Sequence, residues 1–368
     1  MNKVLLTAAM IVRNEEHCLP DCLKSIQPLV DEIVIVDTGS TDQSRAIARA
    51  FGAKVFDLQW PEDFSAARNE ALRHSSGQWI LYIDADESVL PIDRSRMQQH
   101  LSGAGTVAFT VRFYPYKGFT AYREYRIFRN DPRIRFDGVI HETILPSIRA
   151  VAADDHLTIG KTDLTVVHTG YDAEQDHKHA RNLPLLRAQL ARDPERIYCW
   201  WHLGMVLVGL GDLEGAEEAW TSAIKIIRKK DLRQAVDSLP YADLIRLRYR
   251  MGNNVNGFLE EALRFFPDQY LLLWTKGQVL MAEQRFSEAI GLFELLASID
   301  PACLESAELA YDSRIFRALA YEPLATCHFK LGRFEESAAY YALAENCEPE
   351  NIAYRIRRQL ACAKLNHP

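Results

Sequence analysis

Short β-rich runs, separated by stretches whose apolar residues recur at helical spacing, fill the N-terminal part of the chain. That alternation constrains the fold more than any other feature. "VLLTAAMIV" reads as a first strand, "EEHCLPDCLKSIQPL" as a helix, and "DEIVIVDTGS" as a second strand ending at Asp37 in a Gly-Ser-Thr turn. In "STDQSRAIARAFG", Ser40 or Thr41 is placed to cap the next helix, with Asp42 in its first turn and Gly52 to end it. "AKVFDLQ", "DFSAARNEALRHSSG" and "QWILYIDAD" then continue strand, helix, strand. Strands joined through helices run parallel, so this β-α-β-α-β-α-β series predicts an α/β sheet sandwiched between helices.

From Val107 to Val167 the texture becomes aromatic and alternating, in "TVAFTVRFYPY", "EYRIFRNDPRIRFDG" and "DLTVVHTGY", which predicts antiparallel strands or hairpins added to that sheet. "DAEQDHKHARNLPLLRAQLARDPE" is a polar helical connector into a different second half. There "WWHLGMVLVGLGDLEGAEEAWTSAI", "LWTKGQVLMAEQRFSEAIGLFELLASIDP" and "LATCHFKLGRFEESAAYYALAENCEP" align on their turn residues. Each sets a small residue in one helix and an aromatic in the next. Pro267 precedes Pro301 by the tetratricopeptide period, about 34 residues, so "YADLIRLRYRMGNNVNGFLEEALRFFP" is a degenerate repeat and "ACLESAELAYDSR" an insertion. Such repeats bury a continuous core only when stacked, which predicts an all-α solenoid. The chain divides into an α/β domain over 1–170, a connector over 171–195 and a repeat domain over 196–368.

Composition narrows the class. A 48% hydrophobic and 25% charged chain is globular, and a net charge of −7 gives no electrostatic reason to expect nucleic acid as a partner. No apolar run reaches the roughly 20 residues of a membrane-spanning helix, and the first strand is too short for a signal segment, so a cytoplasmic location is expected. Seven cysteines without CxxC pairs suggest neither a disulfide framework nor a zinc site, and they are read as buried thiols.

The chemistry gathers where the parallel strands end. In "WILYIDADES", alternation along the strand puts Asp84 and Asp86 on one face as it runs out into a loop. Ligands of open α/β sheets bind at that edge, and paired carboxylates suit a hard divalent ion; the same spacing also fits a pair that merely opens a turn. Asp37 ends the second strand at the same edge, where it serves either a ligand or a helix cap. Arg13, Asn14 and Glu15 follow the first strand, and Arg68 and Asn69 lie near a helix start, where a cation or amide meets an anion. Sharing one edge, they make a composite nucleotide-phosphate site.

"MIVRNEE", "VDTGSTD", "DFSAARNEA" and "WILYIDADE", in that order, resemble the successive motifs of family-2 glycosyltransferases. The resemblance implies the nucleotide-diphosphosugar-binding fold called GT-A, Rossmann-like, with the repeat solenoid after it. It implies that Asp37 contacts base or ribose, Arg68 sits near the nucleotide, Asp84 lies by the ribose, and Asp86 holds Mg2+ or Mn2+ on the diphosphate. "EYRIFRNDPRIRFDGVIHE" and "VVHTGY" resemble the acceptor half of a subgroup fused to tetratricopeptide repeats, a layout similar to the sublancin-type peptide S-glycosyltransferases that modify a bacteriocin. His168 either completes the metal site or is a loop histidine. Glu142, with His141 and Asp86 behind it, is the candidate base for a hydroxyl acceptor; otherwise the "HE" pair orients a loop. Tyr114, Tyr116, Tyr122 and Tyr125 either stack on substrate or pack the strands.

The expected function is metal-dependent, inverting transfer of a sugar from a nucleotide donor, UDP-hexose, to Cys or Ser/Thr of a peptide or protein. The repeat domain would capture the acceptor or form a homodimer. Transfer to a cell-surface polysaccharide or lipid-linked glycan, and a noncatalytic repeat scaffold, are the alternatives.

Overall fold

The computed structural model describes residues 5–103, 105–169, 175–306 and 309–366. The start of the first expected strand at Val4 and the 170/171 boundary, with Gly170 and Tyr171 of "VVHTGY", lie outside the described residues. So do Ala307 and Glu308 of the expected insertion.

By compactness the chain falls into two units, Met1–Lys117 with Ala121–Ala216, and Gly118–Thr120 with Glu217–Pro368. The first is built from β1 (Leu6–Val12), α1 (Leu19–Ile26), β2 (Glu32–Asp37), α2 (Ser44–Ala50), β3 (Lys54–Asp57), α3 (Phe64–His74) and β4 (Trp79–Tyr82). These are followed by β5 (Glu87–Val89), α4 (Arg94–Leu101), β6 (Thr106–Tyr114), β7 (Ala121–Arg129), α5 (Leu145–Asp154) and β8 (Thr158–His168). Helices α6 (Gln175–Arg192) and α7 (Ile197–Gly209) complete it.

The sheet order is β3-β2-β1-β4-β7-β6-β8-β5. The first four strands are parallel, as their helical connections require. Strand β7 runs antiparallel to both β4 and β6. Strand β8 differs from the expected antiparallel addition: it pairs parallel with β6 and antiparallel with β5. Helix α5 lies between β7 and β8 and permits that parallel return. Alternate residues of β1 enter opposite cores. Leu6, Ala8 and Met10 pack with Leu19, Leu23 and Ile26 of α1, whereas Ala9 packs with Ala71 and Leu72 of α3 and Ile148 of α5. The sheet is thus covered on both faces.

Two details of the N-terminal reading change. Gln43, not Ser40 or Thr41, is the residue before α2, because the Ser40 hydroxyl accepts the Asn14 N–H instead. Strand β4 ends at Tyr82, so Asp84 and Asp86 stand in the loop beyond it rather than on its alternating face. Gly52 does end α2, with φ +80.

Beyond α7 come α8 (Leu213–Lys229), α9 (Leu239–Arg250), α10 (Asn256–Phe265), α11 (Tyr270–Ala282), α12 (Phe286–Ser298), α13 (Ala318–Lys330), α14 (Phe334–Cys347) and α15 (Ile352–Asn366). This is the helix-turn-helix succession of tetratricopeptide repeats. A Cβ at Gly277 would stand 2.5 Å from the Phe293 ring, itself fully buried, so the small residue of one helix and the aromatic of the next are complementary shapes. Helices α6 and α7, which the sequence assigns to connector and repeat, pack with the first unit: buried Gln189 accepts the Val139 N–H at 2.7 Å, and Arg196 donates to the His141 carbonyl. Of the cysteines read as buried, Cys303, Cys347 and Cys362 are exposed.

At the N-terminal edge of the sheet, Glu32 accepts from Thr7 Oγ1, Lys54 Nζ and both N–H and Oγ of Ser76, joining four segments. Burial raises its pKa, but these bonds outweigh burial and bring it down to about 2. A depressed folded-state pKa contributes stability that is full above the unfolded value, about 4.5, and is lost as pH falls toward 2. Glu32→Gln is therefore expected to cost about 2 kcal/mol at pH 7, with the gap to wild type closing between pH 4.5 and 2, read from urea unfolding across pH.

Candidate active site

Strands β1, β2 and β4 end side by side, with Val12 paired to Asp37, and the loops that leave them are latched together. Asn14, at φ +56, gives its N–H to Ser40 Oγ and accepts the Thr41 N–H on Oδ1 at 2.8 Å. Asparagine tolerates this left-handed backbone because its short amide can bond locally. The Glu15 N–H reaches Ser44 Oγ, and Glu16 exchanges bonds with the Asp42–Gln43 segment. Asn14 is thus a loop latch, and Arg13 and Glu15 are the residues it presents.

Asp37 is buried. Its Oδ1 accepts from the N–H groups of Gly39 and Ser40 and from Arg45 Nε at 2.8 Å, while buried Oδ2 has no hydrogen-bond partner among the described residues. Burial raises its pKa, yet the bonds from Ser40, Gly39 and Arg45 prevail and hold it below the usual range. The result is a fixed carboxylate with one acceptor oxygen unsatisfied.

Arg68 lies in the second turn of α3, whose first turn is capped by Asp63 accepting from Ala66 N–H. Its Nη2 donates to both oxygens of Asp84, at 2.8 and 3.1 Å, and its Nε to Glu142. The guanidinium also lies over the rings of Tyr82 and Phe136, at 5.2 and 5.6 Å. Asn69, expected beside it, faces elsewhere: its amide exchanges two bonds with the backbone of Phe136 and braces that loop.

Asp86 and His168 meet through the sheet. The β5–β8 register sets Glu87 opposite His168, and His168 Nε2 comes 3.1 Å from Asp86 Oδ2. Burial raises the Asp86 pKa, but the bond to His168 prevails and lowers it; the same bond raises His168 against burial. Among the described residues no three His, Cys, Asp or Glu side chains close around a metal. Asp86 and His168 supply one oxygen and one nitrogen donor, a set that fits a divalent ion sharing its other positions with substrate oxygens. Cys22 is no ligand: it is buried, its thiol points at the Asp84 carbonyl, and burial pushes its pKa well up. Glu15 is raised to about 7, first by burial and then by Asp86 and Asp84.

Glu142 and His141 sit in a loop closed by paired backbone bonds between Asp137 and Thr143. The His141 ring, at φ +50, stacks on His202 of α7 at 3.7 Å, and burial holds it to about 4, so it is neutral and turned to that helix. Glu142 lines a cavity of about 270 Å³ together with Arg68, Asp84, Glu124, Arg126 and Arg181. A larger, more apolar cavity of about 360 Å³ lies between α1 and Val89–Ile92 and shares none of these residues. Of the four tyrosines, Tyr116 is half exposed, its ring 5.9 Å from His168, while Tyr122 packs on Phe113 and Tyr125 joins the core.

Sequence reasoning missed the buried Glu87–Arg126 pair. Arg126 donates to both Glu87 oxygens at 2.9 and 2.8 Å and to Glu124, and Glu87 accepts the Asp84 N–H at 2.9 Å. Burial pushes the Glu87 pKa up and Arg126 opposes it. The signal was an arginine alternating with apolar residues in "EYRIFR", which a buried strand face accepts only with a carboxylate partner.

Residues 7–156 match the model for Glycosyl transferase family 2. The match lies almost wholly within the first unit, ahead of the helices that succeed one another as tetratricopeptide repeats do. The chain is similar to a TPR repeat-containing protein of Synechococcus elongatus, 36% identical over 228 residues, 60% of this chain and 56% of that one. It is also similar to the SPbeta prophage-derived glycosyltransferase SunS of Bacillus subtilis, 25% identical over 251 residues, 64% of this chain and 57% of that one. A third relative is the lipopolysaccharide core biosynthesis glycosyltransferase LpsC of Rhizobium meliloti, 32% identical over 162 residues, 39% of this chain and 58% of that one. The chain spans a little over half the length of these relatives. Among solved structures, glucosyl-3-phosphoglycerate synthase from Mycobacterium tuberculosis is 18% identical over 51% of this chain and 80% of its own, with a TM-score of 0.36, too slight to carry a residue or ligand across.

Removing one partner of the buried Glu87–Arg126 pair leaves an uncompensated charge. Arg126→Met is expected to lower unfolding free energy by about 3 kcal/mol or more. Arg133→Met, which breaks the exposed pairs to Asp131 and Asp155, should leave the urea midpoint within error of wild type, both followed by circular dichroism.

Proposed function

We propose that this protein is a glycosyltransferase that, with Mg2+ or Mn2+, moves a sugar from a nucleotide donor, UDP-hexose, to a peptide or protein acceptor with inversion. The observation that carries this reading is the Asp86–His168 pair, 3.1 Å apart beyond the end of β4, with Asp86 two residues after Asp84, which Arg68 fixes. Asp86 and His168 would hold the ion. The bound ion supplies charge neutralisation on the departing diphosphate. Asp37 offers its unsatisfied Oδ2 to an N–H or O–H of the nucleoside.

Glu142 takes the proton of a hydroxyl acceptor, with Arg68 holding its other flank in place. A cysteine acceptor asks less of that base because a thiol ionises more readily. His141 lines the same cavity behind Glu142, its ring stacked on His202 of α7. The peptide acceptor rests on the resemblance of "EYRIFRNDPRIRFDGVIHE" and "VVHTGY" to the sublancin-type peptide S-glycosyltransferases, and the repeats would bind it or pair two copies. A cytoplasmic site of action goes with this reading; among the described residues no helix is long and apolar enough to cross a membrane.

A second reading, a glycan acceptor, is favoured by the likeness to LpsC and by a cavity walled with charged side chains that suit hydroxyl groups. Mass spectrometry of peptides and of oligosaccharides incubated with a panel of sugar nucleotides separates the two. Release of nucleoside diphosphate is expected from at least one donor, to stop with a chelator, and to fall about 100-fold or more in Asp86→Ala. Equal release by wild type and Asp86→Ala would remove the metal assignment, and no release from any donor would leave the scaffold alternative.

A further inference from the structure

We infer that Arg196, the residue before α7, is a positioning residue for the transfer: by holding the His141 carbonyl it sets where the Glu142 carboxylate stands. This rests on the transferase reading, in which Glu142 takes the acceptor's proton.

Glu142 belongs to no strand or helix. The loop that carries it is closed at its base by two 2.9 Å bonds between the backbones of Asp137 and Thr143. Between them the chain is left-handed at Gly138, φ +114, and at His141, φ +50, so no regular ladder fixes the tip. Its groups are fixed from outside instead. The Val139 carbonyl accepts the Phe64 N–H at 2.9 Å, the Val139 N–H donates to Gln189 Oε1 at 2.7 Å, and the His141 carbonyl accepts Arg196 Nη2 at 2.6 Å. The His141 ring completes the set on His202, their centres 3.7 Å apart.

Gln189, Arg196 and His202 all lie beyond residue 156, where the family match ends. Arg196 stands nearest to the candidate base. The carbonyl it holds belongs to the planar peptide group that ends in the Glu142 nitrogen, so it fixes the plane from which the Glu142 side chain departs. Gly138 shows how closely the arginine lies on the loop, since a Cβ there would stand 2.4 Å from Arg196 Nη1. On its other side the Glu142 carboxylate accepts Arg68 Nε. Arg68 thus holds the carboxylate and Arg196 the backbone behind it. A base acts from about 2.6–3.2 Å, and a shift of about 1 Å is enough to slow transfer severely.

Release of UDP from UDP-hexoses with Mn2+, water serving as acceptor, tests this in the full chain. The bond from sugar C1 to the diphosphate breaks, the water oxygen bonds to C1, and the water proton passes to Glu142. Arg196→Met is expected to lower kcat about tenfold and leave KM for the donor within about twofold, while Arg196→Lys, which keeps a donor for the carbonyl, stays within about threefold of wild type. Added to Glu142→Gln, Arg196→Met is expected to slow release by no more than about twofold, because the group it positions is already gone. Arg187→Gln, on an exposed face of α6, should match wild type. An unchanged kcat in Arg196→Met, or a tenfold loss that persists in the Glu142→Gln background, overturns the inference. Amide hydrogen exchange over 137–143 reads the loop without turnover and is expected to be about tenfold faster in Arg196→Met; exchange like wild type also overturns it. A wild type that cleaves no sugar nucleotide overturns the transferase reading, and faster exchange in Arg196→Met then still establishes Arg196 as the residue that holds the loop.

Discussion

The Arg68 guanidinium is the constraint on which the rest of the site depends. It is buried against Tyr82 and Phe136, where a lone charge would be very costly, and it persists because Asp84 and Glu142 compensate it from two sides. Asp84 comes from the end of a central strand and Glu142 from a loop some sixty residues later in the chain. One planar cation therefore sets the distance between the edge proposed to meet the donor and the group proposed to act on the acceptor. Neither carboxylate can drift without uncovering the other's partner. Beneath it the Glu87–Arg126 pair repeats the arrangement: Tyr82 is flanked by both guanidiniums, and Glu87 also holds the Asp84 N–H. The aspartate loop is thus fixed by charges its own short motif does not contain.

What could be read beforehand was whatever depends on local periodicity. The parallel strands and their helices follow from runs of 4 to 8 apolar residues set against helical spacing. The shared edge where the candidate residues gather follows because all parallel strands end on the same side. What could not be read was tertiary. Asp84 and Asp86 alternate as strand residues do, yet the chain leaves the sheet at Ile83, since the bond from Asp84 N–H to Glu87 begins a turn there. His168 reaches Asp86 only because β8 pairs with the three-residue strand β5, which is too short to announce itself. Asn69 shares its motif with Arg68 but points the other way, one residue on a helix being about 100° of rotation.

The repeats show the same division. Gly277 against Phe293 was legible as a small residue facing an aromatic, because stacked helices approach only where one side gives up volume. The limit of the repeat array was not legible. Helix α7 carries the repeat signature, yet His202 stacks on His141 and Arg196 binds the His141 carbonyl, so the same helix also braces the loop that carries Glu142. A repeat pattern reports how a helix meets its sequence neighbour and is silent on what its other face covers.

In the proposed reading Asp86 and His168 would supply two donors, whereas a magnesium-like ion takes about six ligands, so most of its sphere would come from water or from the donor's phosphates. An ion held by two side chains alone is weakly bound, and a diphosphate facing Asp84, Asp86 and Glu15 without an ion meets like charge. Each makes good what the other lacks, and by linkage each must raise the affinity of the other by the same factor. That mutual dependence is how the proposed site, with two metal donors, would still assemble around its substrate.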